Sequence, residues 1–123
     1  MNKTLLLLIE DNPLLTGLYR AAFEKKGFEV IFAHDGESGL TLAKARKPHL
    51  IVLDLLMPGM DGYEVLARIK NDAETAHIKV VILTIINEKG AQKKAVKLGA
   101  VDFLVKSDLT LAKIVERIIT HCK

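Results

Sequence analysis

Five polar or charged positions stand directly after apolar runs of the sequence, and their side chains are of types that can do chemistry. They are Glu10 and Asp11, then Asp54, Thr84 and Lys106. Three carboxylates brought together repel one another, and a bound cation relieves that repulsion. All-oxygen ligands suit a hard ion such as Mg²⁺. The lysine opposite the carboxylates can pair with Asp54 at rest and with an anion when one arrives, and the threonine hydroxyl can donate a hydrogen bond to the same anion. The set is therefore suited to placing a phosphoryl group on a carboxylate.

The apolar runs themselves predict strands, and they alternate with segments long enough to form helices. Strands are predicted over residues 4–9, 28–33, 50–53, 79–83 and 101–105. A strand followed by a helix, five times over, predicts a parallel sheet with right-handed crossovers. The length of 123 residues predicts one domain, spanning residues 1–123.

The composition of the strands also predicts their order in the sheet. The runs at 5–9, 50–53 and 80–83 are continuously apolar, which indicates central strands covered on both faces. The second and fifth runs carry Glu29 and Asp102 in their middles, which favours the sheet edges. We therefore predict an α/β fold of the flavodoxin-like, three-layer (βα)5 type with strand order 2-1-3-4-5. Ligands of such folds bind at the carboxyl ends of the strands, beside the switch point between strands 1 and 3.

The helices carry start signals of their own. Asn12 and Pro13 predict the start of the first helix. Its apolar face is expected to consist of Leu14, Leu15, Leu18, Tyr19, Ala22 and Phe23. Asp61 is expected to cap a helix over 62–71, and Ser107 or Asp108 to cap the last helix.

Four lysines crowd the segment after the fourth strand: Lys89, Lys93, Lys94 and Lys97. Three of them recur at four-residue intervals and would stack on one helix face, where like charges are unfavourable. Gly90 weakens the segment further, so we expect this helix to be the least stable. Two interpretations stay open: a solvated face, or a basic output surface for an acidic partner or a dimer mate.

Composition excludes several classes of function. The formal net charge of +3 is weak, and no Lys/Arg cluster is interleaved with aromatics, so direct nucleic-acid binding is not expected. Cys122 is the single cysteine, which fits a reducing compartment. The first apolar run is too short to span a bilayer. We expect a cytoplasmic protein without membrane contact.

The chain resembles the receiver domains of two-component response regulators from about residue 5 to 119. The resemblance rests on the acidic pair in Glu10-Asp11-Asn12-Pro13, on Thr84 and on Lys106. Its most specific part is the run Asp54-Leu55-Leu56-Met57-Pro58-Gly59-Met60-Asp61-Gly62.

The resemblance implies a role for each site residue. Asp54 would be the nucleophile that becomes an aspartyl phosphate, and Lys106 would pair with a phosphoryl oxygen. Asp11 and the Leu56 carbonyl would hold Mg²⁺, with Glu10 acting directly or through water. Thr84 would swing toward the phosphoryl group. Phe103 matches the position of the switch aromatic, and a plain core phenylalanine is the alternative.

Three departures from the family pattern concern reactivity. Ser107 follows Lys106 where the family usually has a cis proline, so a cis bond is not expected. Ile85 replaces a small residue beside Thr84, which predicts slow phosphorylation by small donors. Leu56 and Ile86 occupy the positions that tune attack by water. Both are apolar, which predicts a long-lived phosphoryl group.

The resemblance also implies partners and narrows the alternatives. The donor would be a histidine kinase or a phosphotransfer protein, and the output would pass to a downstream protein whose identity the sequence does not reveal. A homodimer through the fourth helix, fifth strand and fifth helix is a further expectation. The chain would be no enzyme beyond self-phosphorylation and slow autodephosphorylation, because Leu56 stands where an aspartate-nucleophile phosphatase has its general acid. The alternative is a non-phosphorylated, receiver-like binding module.

Overall fold

The computed structural model describes residues 3–123, which form one parallel five-stranded sheet with helices on both faces. The strands are β1 (Leu5–Ile9), β2 (Glu29–Ala33), β3 (Leu50–Leu53), β4 (Lys79–Thr84) and β5 (Asp102–Val105). The helices are α1 (Pro13–Lys25), α2 (Gly36–Arg46), α3 (Gly62–Asn71), α4 (Ala91–Lys97) and α5 (Leu111–Thr120). None of these helices has both the length and the apolar character needed to cross a bilayer.

The strand order is β2-β1-β3-β4-β5, which confirms the predicted flavodoxin-like order. All four strand pairs are parallel, and β1 lies between β2 and β3. The edge strands are β2 and β5, as predicted. The central strand β4 also has a charged residue, Lys79, at its start. Glu29 and Asp102, however, are the first residues of β2 and β5 and not the middle ones. Their charges therefore lie at the amino-terminal ends of these strands.

Each face of the sheet has its own apolar core. Leu7 and Ile9 of β1 point into a core shared with α2, α3 and α4, whereas Leu6 and Leu8 point into a core shared with α1 and α5. Alternate residues of one strand thus fill opposite layers, which explains why the central strands are continuously apolar.

The start of α1 agrees with its sequence signal, and its predicted apolar face is buried in part. The Asn12 side chain accepts hydrogen bonds from the amides of Leu14 and Leu15, at 3.0 and 3.3 Å. The expectation that Leu14 and Leu18 point inward is wrong, since they are 80% and 55% exposed. Tyr19 and Phe23 are buried as predicted, and Leu15 and Ala22 pack against the same core. Thr16, which the apolar pattern did not include, is buried beside them.

The caps of α3 and α5 had different outcomes. Asp61 caps α3 as predicted, accepting the Tyr63 amide at 2.7 Å. The expected cap of α5 is wrong: Ser107 and Asp108 belong to a short 3₁₀ turn after β5, and Thr110 caps the helix instead. Because Ser107 and Asp108 lie within that turn, α5 begins after Thr110.

The fourth helix is the shortest of the five. It begins after Gly90, whose φ is +90° and which provides no side-chain cap. Its buried residues are two alanines, Ala91 and Ala95. Lys89 lies before the helix, so the predicted stack of three lysines is wrong, and Lys93 and Lys97 alone share the four-residue spacing within α4.

Candidate functional site

A cluster of three carboxylates forms where β1 and β3 end. Glu10 and Asp54 directly follow these neighbouring strands and are 5% and 6% exposed, while Asp11 is exposed. One potential ligand oxygen from each lies within 4.8 Å of the others. Parallel strands deliver their carboxyl ends to one edge, so the rim predicted from the sequence exists. These oxygens are suitable ligands for a hard divalent cation.

Lys106, which follows β5, reaches across the sheet edge into this cluster. Its ammonium contacts Oε1 of Glu10 and lies 3.1 Å from Oδ2 of Asp54. All three side chains are largely shielded from water, being 12% or less exposed. With Asp11 included, three carboxylates face one ammonium, which leaves an excess of negative charge at the site.

Two backbone amides hold the carboxylates in position. The Leu56 amide donates to Oδ1 of Asp54 at 3.0 Å, and the Asn12 amide donates to Oε2 of Glu10 at 3.1 Å. His34 Nδ1 also lies 3.2 Å from the Glu10 carbonyl oxygen. Sequence reasoning missed these contacts, because backbone donors and a carbonyl partner leave no mark on residue type.

The ionisation of Glu10 and Lys106 reflects burial and mutual contact. Burial raises the pKa of the Glu10 carboxyl above its ordinary value and outweighs the lowering effects of Lys106 and the Asn12 amide. Burial alone lowers the pKa of Lys106. The hydrogen bond to Glu10 and the charge of Asp54 outweigh it and raise that pKa, so the ammonium stays protonated.

The loop after Asp54 depends on two glycines of the motif, Gly59 and Gly62. Gly59 has a φ of +80°, a left-handed conformation that glycine adopts without strain. A Cβ atom on Gly62 would lie 2.5 Å from the Leu55 Cα and 2.7 Å from the Asp54 carbonyl oxygen. The start of α3 therefore packs directly against the backbone that carries Asp54.

Thr84 and Phe103 lie on the neighbouring strands β4 and β5. Thr84 ends β4, is fully buried, and accepts the Ile86 amide at 3.3 Å. Phe103 is half-buried and lines a surface depression of about 360 Å³ between β5 and the segment before α4. The direct contacts of the site thus join Glu10, Asp54 and Lys106, whereas Thr84 is bonded to its own loop.

The residues that depart from the family pattern, namely Leu56, Ile85, Ile86 and Ser107, lie close to the site residues in the sequence. Ile85 is 60% exposed and Leu56 is 47% exposed, while Ile86 is half-buried. The bond between Lys106 and Ser107 is trans, as expected for serine at that position.

Comparison with known proteins agrees with the fold and the site geometry. The family model described as "response regulator receiver domain" matches residues 6–119. Protein PilH of Pseudomonas aeruginosa is 32% identical, over 93% of this chain and 96% of its own. Response regulator PleD of Caulobacter vibrioides is 37% identical over 101 residues, and the match covers 82% of this chain but only 22% of PleD.

A solved structure adds a match in three dimensions. The Mn²⁺-bound form of response regulator Rcp1 superimposes with a TM-score of 0.78 at 28% identity, covering 94% of this chain and 88% of that one. Fold, strand-end residues and family match agree, and this chain belongs to the response regulator receiver domains of two-component systems.

Proposed function

We propose that residues 1–123 form a single receiver domain that acts as a phosphorelay switch, with Asp54 as the phosphoryl acceptor. The observation that carries the proposal is the contact between Asp54 and Lys106 inside an acidic cluster, with Asp54 held by the Leu56 amide. Because both oxygens of this buried carboxylate are held by hydrogen bonds, its orientation is fixed before the donor arrives, which lowers the entropic cost of the reaction.

In the transfer step, an oxygen of Asp54 attacks the phosphorus of a phosphohistidine on a histidine kinase or phosphotransfer protein. The new bond joins that oxygen to phosphorus. The phosphorus–nitrogen bond breaks, and its electron pair stays on the imidazole of the donor. Lys106, held in place by Glu10, turns its ammonium from Asp54 to a phosphoryl oxygen and stabilises the charge there.

The acidic cluster fits Mg²⁺, because its excess negative charge and its oxygen donors are what a hard cation requires. Asp11, Asp54 and the Leu56 carbonyl would hold the ion. Glu10 would act on the ion directly or through water. Bound Mg²⁺ supplies charge neutralisation for the incoming phosphoryl group. Rcp1, a related response regulator, is described as Mn²⁺-bound.

The phosphoryl group adds roughly two negative charges beside Lys106. Thr84 would exchange its contact with the Ile86 amide for one with the phosphoryl group, and Phe103 would move with it. This two-state rearrangement controls a downstream protein, and a homodimer through α4, β5 and α5 is one form that output can take. Apart from self-phosphorylation and slow autodephosphorylation, no enzymatic activity is proposed, and the location proposed is the cytoplasm.

Intact-mass measurement tests the proposal. After incubation with acetyl phosphate and Mg²⁺, the wild type should gain one phosphoryl group, and Asp54→Ala or added chelator should abolish the gain. Because Ile85 is expected to slow small donors, a silent result is followed by a phosphorylated histidine kinase and by beryllofluoride binding. Silence in all three would establish the alternative, a non-phosphorylated binding module.

A further inference from the structure

His34 holds the backbone at the point where the two acidic residues after β1 follow one another. Its Nδ1 lies 3.2 Å from the carbonyl oxygen of Glu10. A carbonyl oxygen can only accept a hydrogen bond, so Nδ1 is the donor and carries the proton of the neutral ring. The imidazolium form has a proton on the same nitrogen, so the contact does not depend on the charge of the ring. The hydrogen bond therefore assigns His34 to the Nδ1–H tautomer.

The backbone on either side of His34 is itself held in place. The preceding residue, Ala33, ends β2, and its carbonyl oxygen accepts the Glu10 amide at 3.0 Å. The following residue, Asp35, caps α2 by accepting the Ser38 amide at 2.7 Å. The imidazole thus projects from a junction between a strand and a helix, which is a more rigid support than a free loop. Its hydrogen bond extends the contacts between β1 and β2 by one side chain.

The oxygen that His34 contacts belongs to the peptide unit that joins Glu10 to Asp11. A peptide unit is planar, so a fixed carbonyl direction also fixes the direction in which the chain enters Asp11. The carboxylate of Glu10 is held separately, by the Asn12 amide and by Lys106. Asp11, by contrast, is exposed and is not held by core packing. The direction of its backbone therefore decides where its carboxylate can lie.

We propose that His34 is a positioning residue for the Mg²⁺ site and acts through the peptide unit between Glu10 and Asp11. The inference rests on the proposed function, because it concerns the ion that the acidic cluster would hold. Mg²⁺ requires nearly ideal octahedral geometry, so its affinity is sensitive to small displacements of a ligand. Groups that orient metal ligands without touching the ion typically change the affinity by about tenfold or more. An effect that passes through the backbone is expected to be smaller.

The surroundings of the ring allow the donor to be removed without damage to the core. His34 is exposed and lines a depression of about 600 Å³ together with Pro13, Thr16 and Gly17. A substituted side chain therefore borders open space and not packed atoms. His34→Asn keeps a donor, because its amide nitrogen is separated from Cα by the same number of bonds as Nδ1 of histidine. His34→Leu removes the donor.

The Mg²⁺ affinity of these two variants tests the inference. Mg²⁺ is titrated while the amide resonances of Asp11 and Leu56 are followed, which gives the dissociation constant Kd. His34→Leu should raise Kd about fivefold, and His34→Asn should keep the wild-type value. The matched control is His77→Leu, at an exposed histidine in the connection between α3 and β4, which should leave Kd unchanged. Unfolding free energy measured with chelator separates the two roles, because a merely structural contact would change that energy and leave Kd unchanged.

The ring itself provides a measurement that needs no Mg²⁺. At about pH 8, where an ordinary histidine is neutral, nitrogen–proton correlation spectra of the imidazole should show the Nδ1–H tautomer for His34. The Nε2–H tautomer would overturn the inference, as would equal weakening of Mg²⁺ binding in His34→Leu and His34→Asn. An unchanged Kd in His34→Leu, beside a wild type that binds Mg²⁺, would overturn this inference alone. A wild type that binds no Mg²⁺ would overturn the proposed function together with it.

Discussion

Lys106 lies 3.1 Å from Asp54, although 52 residues separate them in the sequence. The contact exists because β3 and β5 are parallel strands of one sheet and end at the same edge. Both side chains are mostly buried, so each supplies the charge that makes burial of the other tolerable.

Lys106→Met is therefore expected to destabilise the protein in the absence of divalent cations. The substitution leaves the carboxylates of Glu10 and Asp54 buried without a counter-charge. We expect a loss of about 3 kcal/mol in the free energy of unfolding, measured in urea with chelator present. Lys113→Met is the control, because Lys113 forms an exposed pair with Glu116 at 3.7 Å. Equal effects of the two substitutions would contradict the assignment of a buried ion pair.

Gly62→Ala is expected to disturb the site through the backbone of Asp54 and Leu55. A Cβ at this position would lie 2.5 Å from the Leu55 Cα, and backbone cannot move aside as a flexible side chain can. We expect a loss of about 1–3 kcal/mol in unfolding free energy and a shifted Asp54 amide resonance. Gly17→Ala provides the contrast, because a Cβ there meets nothing within 4 Å in the middle of α1. It should stabilise by about 0.5–1 kcal/mol, and a loss at Gly17 similar to that at Gly62 would refute the steric argument.

The pairing of Asp102 makes part of the stability depend on pH. Arg117 donates to both its oxygens, at 2.8 and 2.9 Å, and His121 Nε2 lies 2.9 Å away. Burial raises the pKa of Asp102, but the hydrogen bonds from His121, the Phe103 amide and Arg117 outweigh it, and the pKa lies below its ordinary value.

A carboxyl with a lower pKa in the folded than in the unfolded chain adds stability above the unfolded value, and that stability is lost as the pH falls through the folded value. Unfolding free energy should therefore decline below about pH 4. Asp102→Asn should make this acid decline shallower. Asp108→Asn, at an exposed aspartate without an ion pair among the described residues, should leave the decline unchanged. A wild-type acid profile retained in Asp102→Asn would rule out this source of pH dependence.

The strand order and the rim of polar residues could be predicted because both follow from the distribution of apolar residues. Continuous runs place β1, β3 and β4 in the centre, and the residues that end such runs must meet at one edge. The exposure of Leu14 and Leu18 could not be predicted in the same way. Helix α1 is apolar around much of its circumference, so several faces could be buried. The large rings of Tyr19 and Phe23 fill the core, and this orients the helix with Leu14 and Leu18 toward solvent.

The partners within the site could be predicted only in part. The pairing of Lys106 with Asp54 was expected from a lysine opposite the carboxylates, and the 3.1 Å contact confirms it. Sequence placed Glu10 among the metal ligands, but its contact with Lys106 depends on how far a lysine reaches across two intervening strands. The cap of α5 failed for a related reason: Ser107, Asp108 and Thr110 are all suitable cap residues, and only the 3₁₀ turn decides among them.

Ile85 is expected to limit access to Asp54 by small donors. It follows Thr84 directly and projects as a branched, 60% exposed side chain at the rim. Ile85→Ala should raise the rate of phosphorylation by acetyl phosphate about threefold to tenfold, equivalent to roughly 1 kcal/mol of barrier. The control is Val101→Ala. This exposed valine precedes the first residue of β5, at the end of the strand away from the site, and its replacement should leave the phosphorylation rate unchanged. An unchanged rate in Ile85→Ala, measured by intact mass over time, would show that this side chain does not restrict access.

Leu56 and Ile86 are expected to prolong the life of the phosphoryl group. Leu56 is 47% exposed beside Asp54 and Ile86 is half-buried beyond Thr84, and neither side chain can orient a water molecule by a hydrogen bond. Leu56→Gln introduces both a donor and an acceptor at the rim, and we expect the aspartyl phosphate to decay about tenfold faster. The decay is followed by mass after the donor is removed. Leu56→Met, which keeps the side chain apolar and of similar size, should preserve the wild-type lifetime. A glutamine variant that decays no faster than the methionine variant would show that water reaches the phosphorus by a route these side chains do not control.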